Sequence, residues 1–154
     1  MLRKLAVLGL LPVLAAPAIL ATTVAGPAFA WTEPARGSAD RAGMMDALRP
    51  HAEWALGAPV EFVIDQLRQS GDVGFAVVQP QRPGGGAIDP AQTPMAQRDG
   101  QDMDYLDGLR IDALLKREGK TWVAVHWAVG ATDAWYVSHQ FCGIWASVLP
   151  EACR

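Results

Sequence analysis

Cysteine is scarce in this chain, with two in 154 residues, and that excludes a disulfide-dense mini-protein. Charge is also low, 19% against 51% hydrophobic residues, so the chain is not a disordered tail, and its 15 glycines and 11 prolines follow no collagen-like repeat. Histidine is too thinly spread for a local zinc motif: of His51, His126 and His139 only the last has a neighbour, Cys142, which would have to be reduced to serve as a ligand. No phosphate loop is present, because Gly84-Gly85-Gly86 follows a proline, precedes no helix and lacks a Lys-Ser or Lys-Thr; it reads as flexible linker. Asp102-Met-Asp104-Tyr-Leu-Asp107-Gly108 has the look of a calcium loop, yet Leu106 and Ala113 stand where ligands are needed. Neither a metal nor any other cofactor is expected.

What the chain has first is an apolar start. Met1-Leu-Arg-Lys is followed by the uncharged stretch from Leu5 to Val24 and by Ala-Gly-Pro-Ala-Phe-Ala at 25–30, where Ala28 and Ala30 are the small residues a signal peptidase requires. The stretch is long enough to cross a bilayer, but Pro12 and Pro17 would disturb such a helix, and cleavage after Ala30 is expected. Residues 31–154 are then a single exported domain, periplasmic or secreted, with no membrane span of its own. Cleavage removes two of the 13 basic groups and none of the 16 acidic ones, leaving a formal charge of −5, which argues against nucleic acid as a partner. In an oxidising compartment Cys142 and Cys153 have only each other to pair with, so a disulfide tying down the C-terminal end is expected.

The rest predicts an α+β domain: an N-terminal helix, a four-stranded antiparallel meander and a C-terminal helix. Ser38 or Asp40 caps a helix with apolar positions Met44, Ala47, Leu48, Ala52 and Ala55, kinked or broken at Pro50 and ended by Gly57 and Pro59. Val60–Gln69 and Asp72–Gln79 read as one hairpin, and Leu106–Arg117 and Thr121–Val129 as another, each closed by three residues containing glycine. Between them lies a long Pro/Gly-rich loop at 81–104, either a working loop or, the reading preferred here, a mobile connection. Thr132 caps a last helix through Trp135, Tyr136 and Val137, extending toward Ile144 and Trp145.

In the second hairpin, setting Arg117 opposite Thr121 makes one face wholly apolar: Leu109, Ile111, Ala113 and Leu115 against Val129, Trp127, Val125 and Val123. The other face then carries Asp112 opposite His126, with Leu114, Ala124 and Trp122 beside them. A carboxylate beside an imidazole fixes its tautomer and raises its pKa, the arrangement a general base or pH sensor needs, although an ordinary cross-strand ion pair has the same residues. Trp122 is a candidate anchor for a partner, and Trp135 a cap on the core or part of that binding surface. No nucleophile is placed beside the pair.

The element order is similar to that of cystatin-like and nuclear-transport-factor-like folds. Asp46-Ala-Leu-Arg-Pro50, Pro59-Val-Glu-Phe-Val63, Gly71-Asp-Val-Gly-Phe-Ala76, Ala113-Leu-Leu115 and Gly130-Ala-Thr-Asp133 resemble segments of small exported bacterial proteins of unknown function. That resemblance implies a shared fold and no activity, and it leads one to expect an aromatic where this chain has Gly74. The functional expectation is a non-catalytic binding or interaction domain of the bacterial envelope, recognising another exported protein or an envelope polymer. A small-ligand pocket protein or enzyme centred on His126 and Asp112 is the alternative. So is an inhibitor that inserts loop 81–104 into a secreted hydrolase.

Overall fold

Residues 31–153 are described by the computed structural model; the expected leader at 1–30 lies outside them. Ser38 takes the N-cap, its hydroxyl accepting from the Arg41 amide at 3.2 Å, and α1 runs unbroken from Ala39 to Leu56 with Pro50 inside it. The proline removes a single amide donor, while buried Met44, Leu48, Ala52 and Leu56 hold both halves of the helix on the sheet.

Strands β1 (Glu61–Ser70), β2 (Val73–Gln81), β3 (Ile111–Glu118) and β4 (Thr121–Val129) form an antiparallel meander in chain order. Both hairpin turns are tighter than the spacing predicts. Ser70 pairs with Val73 and Glu118 with Thr121, leaving two-residue turns whose first position is left-handed and taken by Gly71 (φ 58°) and Gly119 (φ 64°). The architecture is α+β, with two cores. On the inner face of the sheet α1 covers Leu67, Ala76, Val78, Ile111, Ala113 and Leu115. On the outer face Phe75, Val77 and Leu114 lie under Phe141, Trp145, Val148 and Leu149.

The C-terminal layer is not the single helix predicted from Thr132. Two 3-10 turns, Trp135–Val137 and His139–Phe141, lead into one α-helical turn, α3 (Cys142–Trp145), and Ser138 between the first two is extended (ψ 134°). Trp135, Tyr136, Phe141 and Trp145 share no helical stripe, yet all four pack into the outer layer, which a straight helix would not permit. A disulfide joins Cys142 to Cys153, their Cα atoms 5.3 Å apart and 11 residues apart in sequence. Replacing both by serine is expected to cost about 2–3 kcal/mol through the loop-closure entropy returned to the unfolded chain, read as a lower urea midpoint with a slope equal to or slightly above the parent's.

Residues 81–104 are folded onto the end of α1. Arg82 donates to the carbonyls of Leu56 (2.7 Å), Pro59 (3.0 Å) and Gly57, satisfying acceptors that a helix end leaves open. Ile88 and Thr93 are buried, and the short helix α2 (Pro94–Gln97), capped by Thr93, lies against α1. No helix among the described residues is long and apolar enough to cross a membrane.

Candidate functional site

Asp112, Trp122 and His126 take their positions from the pairing of β3 with β4, and that pairing departs from the predicted one. Arg117 lies opposite Trp122, Lys116 opposite Val123 and Leu115 opposite Ala124; then, past a bulge at Val125, Leu114 faces His126, Ala113 faces Trp127 and Asp112 faces Ala128. The tighter turn shifts the register by one residue and the bulge by a second. Apolarity alone could not choose, because in the first half of β4 both alternating sets are apolar: Trp122 and Ala124 on one, Val123 and Val125 on the other. Trp122 and Trp127 both pack with the inner core although they are an odd step of five positions apart, which a strand achieves only by inserting one residue.

Trp122 is therefore corrected from a surface anchor to a core residue on the opposite face from Asp112 and His126. It is 5% exposed. Its indole fills a slot between two glycines: a Cβ on Gly43 of α1 would lie 2.8 Å from Trp122 Cδ1, and one on Gly74 of β2 would lie 2.5 Å from Met44 Cε and 3.3 Å from the indole. The aromatic expected at position 74 is excluded by this packing. Trp122 Nε1 donates to Asp40 Oδ1 at 2.9 Å, and the same carboxylate accepts from Arg117 (2.9 Å) and Gln69 (2.9 Å), so one side chain in the first turn of α1 ties the helix to β1, β3 and β4. Those bonds, led by Gln69 and Trp122, hold the Asp40 carboxyl below the ordinary aspartate value.

Asp112 and His126 share the outer face but are not cross-strand partners. Asp112, 1% exposed, accepts two bonds from Arg110, Nε to Oδ1 at 3.1 Å and Nη2 to Oδ2 at 3.3 Å, and Arg110 also approaches Asp107 at 3.7 Å. Burial pushes the Asp112 carboxyl above the ordinary value despite the opposing pull of Arg110. His126 is exposed and sets its ring against Phe141 (5.0 Å) and Trp145 (5.5 Å). Trp135 is half-buried and meets Tyr136 and Phe141 edge-on, with its Nε1 enclosed and without an acceptor. Among the described residues no group of three or more His, Cys, Asp or Glu side chains is arranged to hold a metal ion.

Two features were not read from the sequence. The first is Arg68 of β1, sandwiched between the rings of Trp31 (4.7 Å) and Phe75 (5.6 Å) and bonded to Glu151 (2.9 Å), Gln66 (3.0 Å) and the Val148 carbonyl (3.1 Å). It clasps both ends of the domain to the sheet at the floor of a groove of about 530 Å³. A lone arginine in a strand gives no sequence signal for such a role. The second is the outer edge of β4. In the strand order β1-β2-β3-β4 it is terminal, and no other strand among the described residues pairs with it. Its nine residues include no charge and no proline, and Val123 and Val125, assigned by the predicted register to the buried face, are each 43% exposed. Ile144 of α3 is exposed as well, next to the Trp145 ring that His126 touches. The opposite edge is managed differently: β1 carries Glu61, Asp65 and Arg68, has its own bulge at Asp65, and pairs at Gln69 with Thr32. No family model matches the chain, and no curated protein or solved structure matches it either.

Proposed function

We propose that the chain is a non-catalytic binding domain of an exported protein, and that it accepts an extended segment of another envelope or secreted protein along the free edge of β4. The carrying observation is the contrast between the two sheet edges. Sheets in water blunt their terminal strands with charge, proline or a covering segment, because an open row of backbone donors and acceptors recruits strands indiscriminately. β1 is treated in that way, whereas β4 offers an uncharged nine-residue edge with two exposed valines. Main-chain hydrogen bonds to such an edge supply affinity, and Val123, Val125 and His126 supply the side-chain contacts that choose among partners. The disulfide and the apolar leader support an oxidising compartment outside the cytoplasm.

Selection of displayed peptides of about ten residues on the folded chain tests this reading, the length being that of a strand able to cover the edge. Expected binders alternate β-branched or aromatic residues with polar ones, protect β4 amides from hydrogen exchange, and lose at least about tenfold in affinity, roughly 1.4 kcal/mol, against Val123→Lys/Val125→Lys. Peptides that bind this variant unchanged, or protect amides elsewhere, overturn the assignment. Both valines are surface residues, so the variant's thermal midpoint is expected to stay close to that of the parent.

A further inference from the structure

A second site lies where the folded 81–104 segment meets the C-terminal end of α1 and the last residues of β4. Trp54 is 66% exposed, which the core does not explain, and yet it is not loose. The Arg98 guanidinium stacks on it, 3.9 Å from the ring centroid, and donates to the Trp54 carbonyl at 3.4 Å, while Asp99 grips the same guanidinium through two bonds of 2.6 Å. Stacking and chelation together fix the guanidinium over one face of the indole. Trp127, half-buried and backed by His51 at 4.8 Å, lines the same cleft as a second aromatic surface. The cleft, of about 230 Å³, has buried Ala55 and half-buried Met95 and Val129 as its apolar floor and the exposed Asp99 and Gln101 on its rim.

We propose that this cleft binds one ring of a neutral pyranose saccharide. The walls and floor suit a flat ligand that presents C–H groups to aromatic faces, and the rim offers a carboxylate and an amide, which suit hydroxyl groups. Charge narrows the class further. Arg98 and Asp99 cancel one another at the rim, so an anionic ligand meets Asp99 and a cationic one meets Arg98, and neither gains from the local field. Size narrows it again, because the cleft is smaller than the roughly 300–1,000 Å³ of pockets that enclose a drug-sized ligand. It holds a single ring, with the rest of an oligosaccharide lying in solvent.

The test is titration of the purified exported chain with three neutral probes, cellotetraose, maltotetraose and the tetramer of N-acetylglucosamine, followed by indole fluorescence and by amide shifts. Tetragalacturonate serves as the charged control. At least one neutral probe is expected to bind with Kd near or below about 1 mM and to shift the signals of Trp54 and Trp127. Trp54→Ala should weaken it by about tenfold or more and Trp54→Phe by less, while Val123→Lys/Val125→Lys leaves it unchanged. Because Trp54 is exposed, its variants are expected to keep the parent's near-ultraviolet dichroism in the remaining aromatic bands. The proposal is overturned if none of the three binds below about 10 mM, if binding survives Trp54→Ala intact, or if the uronate binds as tightly as the neutral probes. Strand addition is read at Val123 and Val125 and saccharide binding at Trp54, so the two proposals fail separately.

Discussion

Replacing Trp122 by alanine is expected to cost about 4 kcal/mol of folding free energy, measured by urea unfolding, placing it among the most damaging substitutions in the chain. Three separate losses combine there. The side chain is 5% exposed, so its removal leaves a large void under α1. Gly43 and Gly74, the residues that line the slot, have no side chains with which to fill it. The Nε1 bond to Asp40 goes too, and with it one of the links between the helix and β4. Trp122→Phe separates these terms: it keeps most of the packing, loses the bond, and should cost about 1–2 kcal/mol, since Gln69 and Arg117 still occupy the Asp40 carboxylate. A phenylalanine variant as unstable as the alanine one would show that the bond dominates; an alanine variant within about 1 kcal/mol of the parent would show that the indole is not in the core. The pH dependence follows the same residues. Asp40 titrates below the ordinary aspartate value, so its stabilising contribution is complete above that value and is lost as pH falls through its folded-state pKa. Trp122→Phe should reduce this acid-sensitive part.

Arg110→Ala is expected to cost about 2–3 kcal/mol at neutral pH, because it leaves the buried Asp112 carboxylate without its only hydrogen-bond donor among the described residues. Arg110 is itself 31% exposed, so water recovers part of the loss and the lower end of the usual range for a broken buried pair applies. The sign of the pH effect is opposite to that at Asp40. Asp112 titrates above the ordinary aspartate value, so its folded state holds the proton more tightly, and stability falls as pH rises from the ordinary value through the raised one. Without Arg110 that raised pKa climbs further. The deficit of the variant should therefore shrink on acidification, nearly vanishing around pH 4, and adding Asp112→Asn should restore most of it at neutral pH. A deficit that is constant from about pH 4 to pH 7, or one that Asp112→Asn fails to relieve, would show that Arg110 acts through packing and not through the carboxylate.

Strand positions were largely legible because they rest on local chemistry: β4 has the predicted bounds and Gly71 and Gly119 mark both hairpins, but β3 begins at Ile111, five residues after its predicted start at Leu106. The helix was legible for the same reason, through Ser38 and the spacing of Met44, Leu48, Ala52 and Ala55. What could not be read was the register, since Trp122/Ala124 and Val123/Val125 are equally apolar and only the three-dimensional slot between Gly43 and Gly74 selects the tryptophan. The candidate pair Asp112 and His126 depended on that register, and the candidate anchor Trp122 changed faces with it. The C-terminal helix was expected to run unbroken from Thr132 but is confined to α3, because the aromatic residues of this layer meet the sheet one by one instead of along a stripe. The wall that 81–104 contributes to the Trp54 cleft was invisible for a different reason: Arg82 and Arg98 bond to backbone carbonyls of α1 and its end, and sequence spacing carries no record of such contacts.

The unlike edges of the sheet also set a stoichiometry. Endless strand-on-strand growth needs two receptive edges on each molecule, so that every addition exposes a fresh one. Both edge strands are bulged, but one end is charged and partly taken by Thr32, while the other is uncharged and open. In the proposed strand addition one strand therefore saturates the chain, whether it comes from a partner or from a second copy laid symmetrically edge to edge. The product is a closed complex of fixed size instead of a fibre.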